Sequence, residues 1–245
     1  MTETEFEIDT TAPYKIDGLF NKNREGETDK LIIIAHGLTG YLNEFLSLMA
    51  ARYFSDNGFD VARISFYSGN KHARKFKDVT LKDHVVDLQK TIAHFKGSYK
   101  KIFVCGHSYG GMTAVMLNPD ITAVSLWDSS LYPYTEYWER ETEWSDEFQT
   151  RVYDYGYPVI IGKEMYEDAK NLTFEVVSEA ASKMKAPTQL VVAGKHAVRP
   201  GQQKIFEYFP EPKKYTYIQN ADHCFTSGNS VEFLFDETHL WFDEF

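Results

Sequence analysis

The chain has 245 residues, 43% hydrophobic and 25% charged, with 26 basic against 36 acidic side chains for a formal net charge of −10. That length and balance exclude a mainly disordered chain, and the acidic excess excludes a general nucleic-acid binder, whose phosphate contacts need clustered Lys and Arg. No apolar run approaches the roughly 20 residues that span a bilayer. The opening MTETEFEIDT lacks the basic and apolar segments of a secretory signal, and the two cysteines, Cys105 and Cys224, are too few for a disulfide framework. A cytoplasmic protein without stable membrane insertion is therefore expected.

In chain order, Phe6–Ile8 and Lys15–Phe20 read as an antiparallel hairpin around Thr-Thr-Ala-Pro. Leu31 to Ala35 is an unbroken apolar run, the mark of a strand buried on both faces. Phe45, Leu46, Leu48, Met49, Tyr53 and Phe54 follow at helical spacing until Gly58 stops the helix, and Phe59 to Phe66 supplies the next strand. Thr80 caps a helix from Leu81 to about Phe95. Lys101 to Cys105 is a third buried strand, followed by a short helix from Tyr109 to about Leu117. Ile121–Trp127, Thr188–Ala193 and Tyr215–Ile218 complete the strands, and Val231 to Phe245 closes the chain as an amphipathic helix. Such alternation predicts an α/β fold, a mostly parallel sheet flanked by helices, because each parallel connection needs a crossover.

One interval breaks the rhythm. About 60 residues separate Trp127 from Thr188, far more than a crossover requires. Residues 131–157 hold nine aromatics together with seven acids and two arginines. We read 131–185 as an aromatic-rich cap, partly helical, inserted after the sixth strand into a core formed by 1–130 and 186–245. It is expected over the carboxyl end of the sheet, where open parallel sheets place their sites. Tyr132, Tyr134 and Trp138 are its candidate substrate-binding residues.

Gly106-His107-Ser108-Tyr109-Gly110 fits G-x-S-x-G and lies between a strand and a helix, the context that motif requires. Only small neighbours leave room for a nucleophile on so tight a turn. His36-Gly37-Leu38-Thr39-Gly40 follows the first buried strand, and its backbone can face that nucleophile. The N–H groups of Leu38 and Tyr109 are the expected oxyanion hole. His223, past the last strand, is the expected base, since a serine hydroxyl needs an imidazole within reach.

With these residues the chain resembles the α/β-hydrolases over nearly its full length. The loop at 36–40 with Glu44-Phe45 is similar to that of intracellular cinnamoyl and feruloyl esterases. The resemblance implies Ser108 as nucleophile, His223 as base, an acyl-enzyme, a small-molecule ester substrate, and no metal or cofactor. It also exposes a departure. Where many relatives carry the acid in a G-x-x-D segment, this chain reads Gly194-Lys195-His196-Ala197. Three readings stay open: the acid has moved to Asp128 at the end of the strand after the elbow, an aspartate at 197 has been replaced by design, or turnover is weakened and the fold serves as a ligand binder. The strand-end position favours Asp128, with a loop-capping role as its rival. Thioesterase and acyltransferase chemistry share the same machinery.

Overall fold

The computed structural model describes residues 3–131, 134–154, 156–196 and 199–245, with the backbone alone at 134–137 and 199. Strands β1 (Glu3–Asp9) and β2 (Lys15–Asn21) form the expected hairpin. Then come β3 (Lys30–Ala35), α1 (Phe45–Ser55), β4 (Asp60–Ser65), α2 (Leu81–Phe95), β5 (Lys101–His107), α3 (Tyr109–Leu117) and β6 (Ala123–Trp127). After β6 the chain forms α4 (Tyr134–Glu141), the short strands β7 (Glu143–Ser145), β8 (Thr150–Asp154) and β9 (Pro158–Ile160), α5 (Lys163–Lys170) and α6 (Phe174–Ser182). It ends with β10 (Thr188–Ala193), α7 (Arg199–Phe206), β11 (Lys213–Ile218) and α8 (Ser230–Phe242).

Eight strands form one sheet in the order β1-β2-β4-β3-β5-β6-β10-β11, and every pairing from β4 to β11 is parallel. The unbroken apolar run in β3 follows from its position in this sheet. Ile32 and Ile34 pack with Leu46, Phe54, Leu234 and Phe242 under α1 and α8, whereas Leu31 and Ile33 face the core beneath α2 and α3. With both faces covered, each of these side chains contributes about 1.5–3 kcal/mol of burial. Thr80 caps α2 in a reciprocal box, accepting from the Asp83 N–H at 3.1 Å while the Asp83 carboxylate accepts from the Thr80 N–H at 2.9 Å.

The long interval is more varied than its composition foretold. Strands β7, β8 and β9 form a separate antiparallel sheet. Helix α5 packs against α2, and α6 packs against α3 and α7, among the helices that flank the main sheet. Helix α7 was not foreseen. Its Pro200 is tolerated because it falls in the first turn, where no intrahelical N–H bond is lost. The basic run near 71–77 is largely structural, with Arg74 buried on the Asp87 carboxylate at 2.7 Å and Lys75 donating to the Ser68 and Asn70 carbonyls. No described helix is long and apolar enough to cross a membrane.

Candidate active site

The parallel register brings the carboxyl ends of the central strands into line: His107 of β5 pairs with Trp127 of β6, which pairs with Val191 of β10. The next residues on β5 and β6 are Ser108 and Asp128, and both have positive φ, 51° and 40°. At Ser108 the turn is bought by glycine. A Cβ at Gly106 would lie 2.7 Å from the Gly111 Cα, and one at Gly110 only 2.2 Å from the Ala35 carbonyl oxygen. A Cβ at Gly37 would lie 3.0 Å from the Ser108 Cβ, so the 36–40 loop rests directly against the serine.

The structure brings Ser108, His223 and Asp128 together. The His223 Nε2 is 3.0 Å from the Ser108 Oγ, and its Nδ1 is 2.6 Å from the Asp128 Oδ2. The other Asp128 oxygen accepts from the Ala193 N–H at 3.0 Å and from the Gln202 amide at 3.1 Å. The His196 Nδ1 also stands 2.6 Å from Oδ2, an ion-pair contact without the alignment of a hydrogen bond, and its ring lies over His223 with centroids 4.2 Å apart. Asp128 is fully buried. Burial alone would raise its carboxyl, but the His196 and His223 rings outweigh it and hold the group well below the usual carboxylate range.

Two further histidines fix the frame as neutral rings. His36 donates from Nδ1 to the Gly37 carbonyl at 2.7 Å and accepts the Phe66 N–H at Nε2, a pattern that specifies one tautomer. Burial lowers it to about 4, against the pull of the Gly37 carbonyl. His107 is lowered to about 3, chiefly by burial, and bonds the His223 backbone carbonyl through Nε2 at 2.9 Å. Asp222 turns away from its neighbour's ring and ties the following loop, accepting from the Cys224 and Thr226 N–H groups at 2.9 and 3.1 Å.

Above the serine lies a cleft of about 410 Å³ lined by Gly37, Leu38, Thr39, Gly40, Glu44, His107, Ser108, Tyr153, Tyr157, His223 and Cys224. Leu38 is on its wall, and Tyr109 opens α3 immediately after Ser108. Trp138 is a correction. It has no exposed surface and stacks on Tyr166, so it packs within the segment after β6 rather than in the cleft, and among the described residues Tyr153 and Tyr157 are the aromatic residues of that segment that line it. Tyr132 and Ala197 lie outside the described residues, as does the side chain of Tyr134. Sequence reasoning missed Ser130, whose hydroxyl is 3.1 Å from the Ser108 Oγ, along with His107, His196 and Gln202. Of these only His196 carried a signal, its place in the segment where an acid was sought. Asp128, His196 and His223 are also the one described group with the donor set to hold a metal ion, but they are already spent on one another.

The family model for serine aminopeptidases, S33, matches residues 26–123, from the approach to β3 into the start of β6. No curated protein matches the chain. Among solved structures the chain is similar to Est1E from Butyrivibrio proteoclasticus with ferulic acid bound (TM-score 0.81, 18% identity, 98% of each chain). It is also similar to the esterase domain of a Rhodothermus marinus protein (TM-score 0.74, 16%, 98% of each). A Pyrococcus furiosus esterase aligns with a TM-score of 0.72 at 17% identity, over 100% of this chain and 93% of that one. Strand order, elbow and these likenesses together give the chain the α/β-hydrolase fold, with Ser108, His223 and Asp128 brought together at its strand ends.

Proposed function

We propose that the protein hydrolyses carboxylic esters of small molecules through an acyl-enzyme, with Ser108, His223 and Asp128 as its triad. The observation that carries this reading is the single imidazole bridging a strained, glycine-framed serine and a buried, ionised carboxylate, at 3.0 and 2.6 Å. Ser108 attacks the ester carbonyl as His223 takes its proton. Asp128 holds the ring with Nδ1–H toward itself and stabilises the imidazolium. The backbone N–H groups of Leu38 and Tyr109 receive the oxyanion, aided by the positive end of α3. His223 then returns the proton to the leaving alcohol and activates the water that releases the acid. The esterases among the structural neighbours support the same class.

A p-nitrophenyl acyl ester series tests it. Turnover with a burst of nitrophenol is expected, and Ser108→Ala should abolish both, a loss of about six orders of magnitude in kcat. Tight binding without turnover would instead establish a ligand-binding protein.

A further inference from the structure

One member of the cleft has no part in the proposed chemistry. Glu44 precedes α1, and its carboxylate reaches the wall formed by Gly40, where a Cβ would lie 2.5 Å from Oε2. The missing side chain at Gly40, in a turn closed by the Gly40 N–H on the Gly37 carbonyl at 3.1 Å, is what gives the carboxylate room. Glu44 accepts from the Ser47 hydroxyl at 3.1 Å, and among the described residues it forms no ion pair. The cation bound to the same loop, Arg63, donates to the Leu42 carbonyl and the Asn43 amide oxygen and is paired with Glu3. Among the described residues the lining contains no Lys or Arg and no other carboxylate.

The rest of the lining fits a cation. Tyr153 and Tyr157 line the cleft, and aromatic rings attract ammonium groups through their faces. Among the described residues, the titratable groups that share the cleft with Glu44 are His107 (neutral), His223, Cys224 and these two phenols. Cys224 directly follows the histidine that must protonate the leaving group, and both line the cleft with Glu44. The Cys224 thiol is pushed up by burial and next by the charge of Glu44. We propose that the alcohol side of this cleft selects esters whose leaving group carries an ammonium, with Glu44 as the residue that receives it. This rests on the ester-hydrolase reading above and names its substrate class.

Burial raises the Glu44 carboxyl to about 7, against the lowering effect of its bonds from Ser47 and the Tyr41 N–H. It is therefore neutral in acid and charged above neutrality, and an ammonium beside it favours the charged form.

The test compares butyrylcholine with 3,3-dimethylbutyl butyrate, its neutral isostere. The ratio of kcat/KM values should favour the cationic ester by about tenfold at pH 8 and shrink toward pH 6. In Glu44→Gln the ratio should fall to near one. A ratio near one in the native protein, or a preference that survives in E44Q, overturns the proposal. Binding of free choline against 3,3-dimethylbutanol needs no turnover and separates this proposal from the hydrolase reading. Selective choline binding lost in E44Q upholds the cation site even if no ester is cleaved, and equal binding of the two alcohols refutes it even if esters are cleaved.

Discussion

The ends of β5 and β6 are neighbours in register, and both leave the sheet with a non-glycine residue at positive φ, yet they are held in different ways. At Ser108 the turn is permitted by sterics: Gly106 and Gly110 approach backbone closer than any Cβ allows. At Asp128 no glycine follows, and Ser129 and Ser130 continue the chain. There the conformation is held through the side chain, which gathers the Ala193 N–H, the Gln202 amide and the His223 ring. A nucleophile turn is thus specified locally, by what is absent from its neighbours. An acid is specified by distant partners that satisfy a buried carboxylate.

The comparison breaks first at the steric end. Gly110→Ala places a methyl 2.2 Å from the Ala35 carbonyl oxygen and 2.6 Å from that of His36, both backbone atoms that cannot step aside. A loss of more than about 3 kcal/mol in urea unfolding, with activity gone, is expected. Next in size is Trp138→Ala, which empties a fully buried site and should cost about 3–5 kcal/mol while leaving KM for small esters unchanged in the folded protein. A large rise in KM with intact stability would return Trp138 to the substrate.

Acid pH acts on the frame before the carboxylate. His36 and His107 titrate lower in the native state than in the unfolded chain, so between about 6.5 and 4 the unfolded state binds more protons and stability falls with pH. Asp128, also depressed, contributes stability that is lost only below its unfolded value of 3.8. Melting temperature should therefore decline from about pH 6.5, and His36→Asn should flatten that decline by up to about 3 kcal/mol. The smallest effect is expected from Gln202→Leu, which removes one donor from Asp128 and one from the Ser129 carbonyl. It should lower kcat by about tenfold with KM unchanged, and an unchanged kcat would show that the Ala193 N–H suffices.

The difference between the two strand ends also explains what was legible in the sequence. The sheet, the edge hairpin and the elbow could be read because apolar runs and glycine spacing encode them within a few residues. Asp128 could be reached only as one of three readings. Nothing local separates it from a loop cap, and its partners lie 65 to 95 positions away. Strands β7–β9 are three to five residues long, too short for periodicity to register. Trp138 was misplaced because aromatic content does not say which rings face a cleft and which pack beneath it, and that depends on how α4 lies on Tyr166.

The most direct test of the account is the rate at which a fluorophosphonate modifies Ser108 in Asp128→Asn, followed by intact-protein mass. The buried carboxylate holding His223 predicts a slowing of about 10⁴-fold, with any residual label still on Ser108. Labelling within threefold of the native rate would show that the imidazole is held by something other than Asp128.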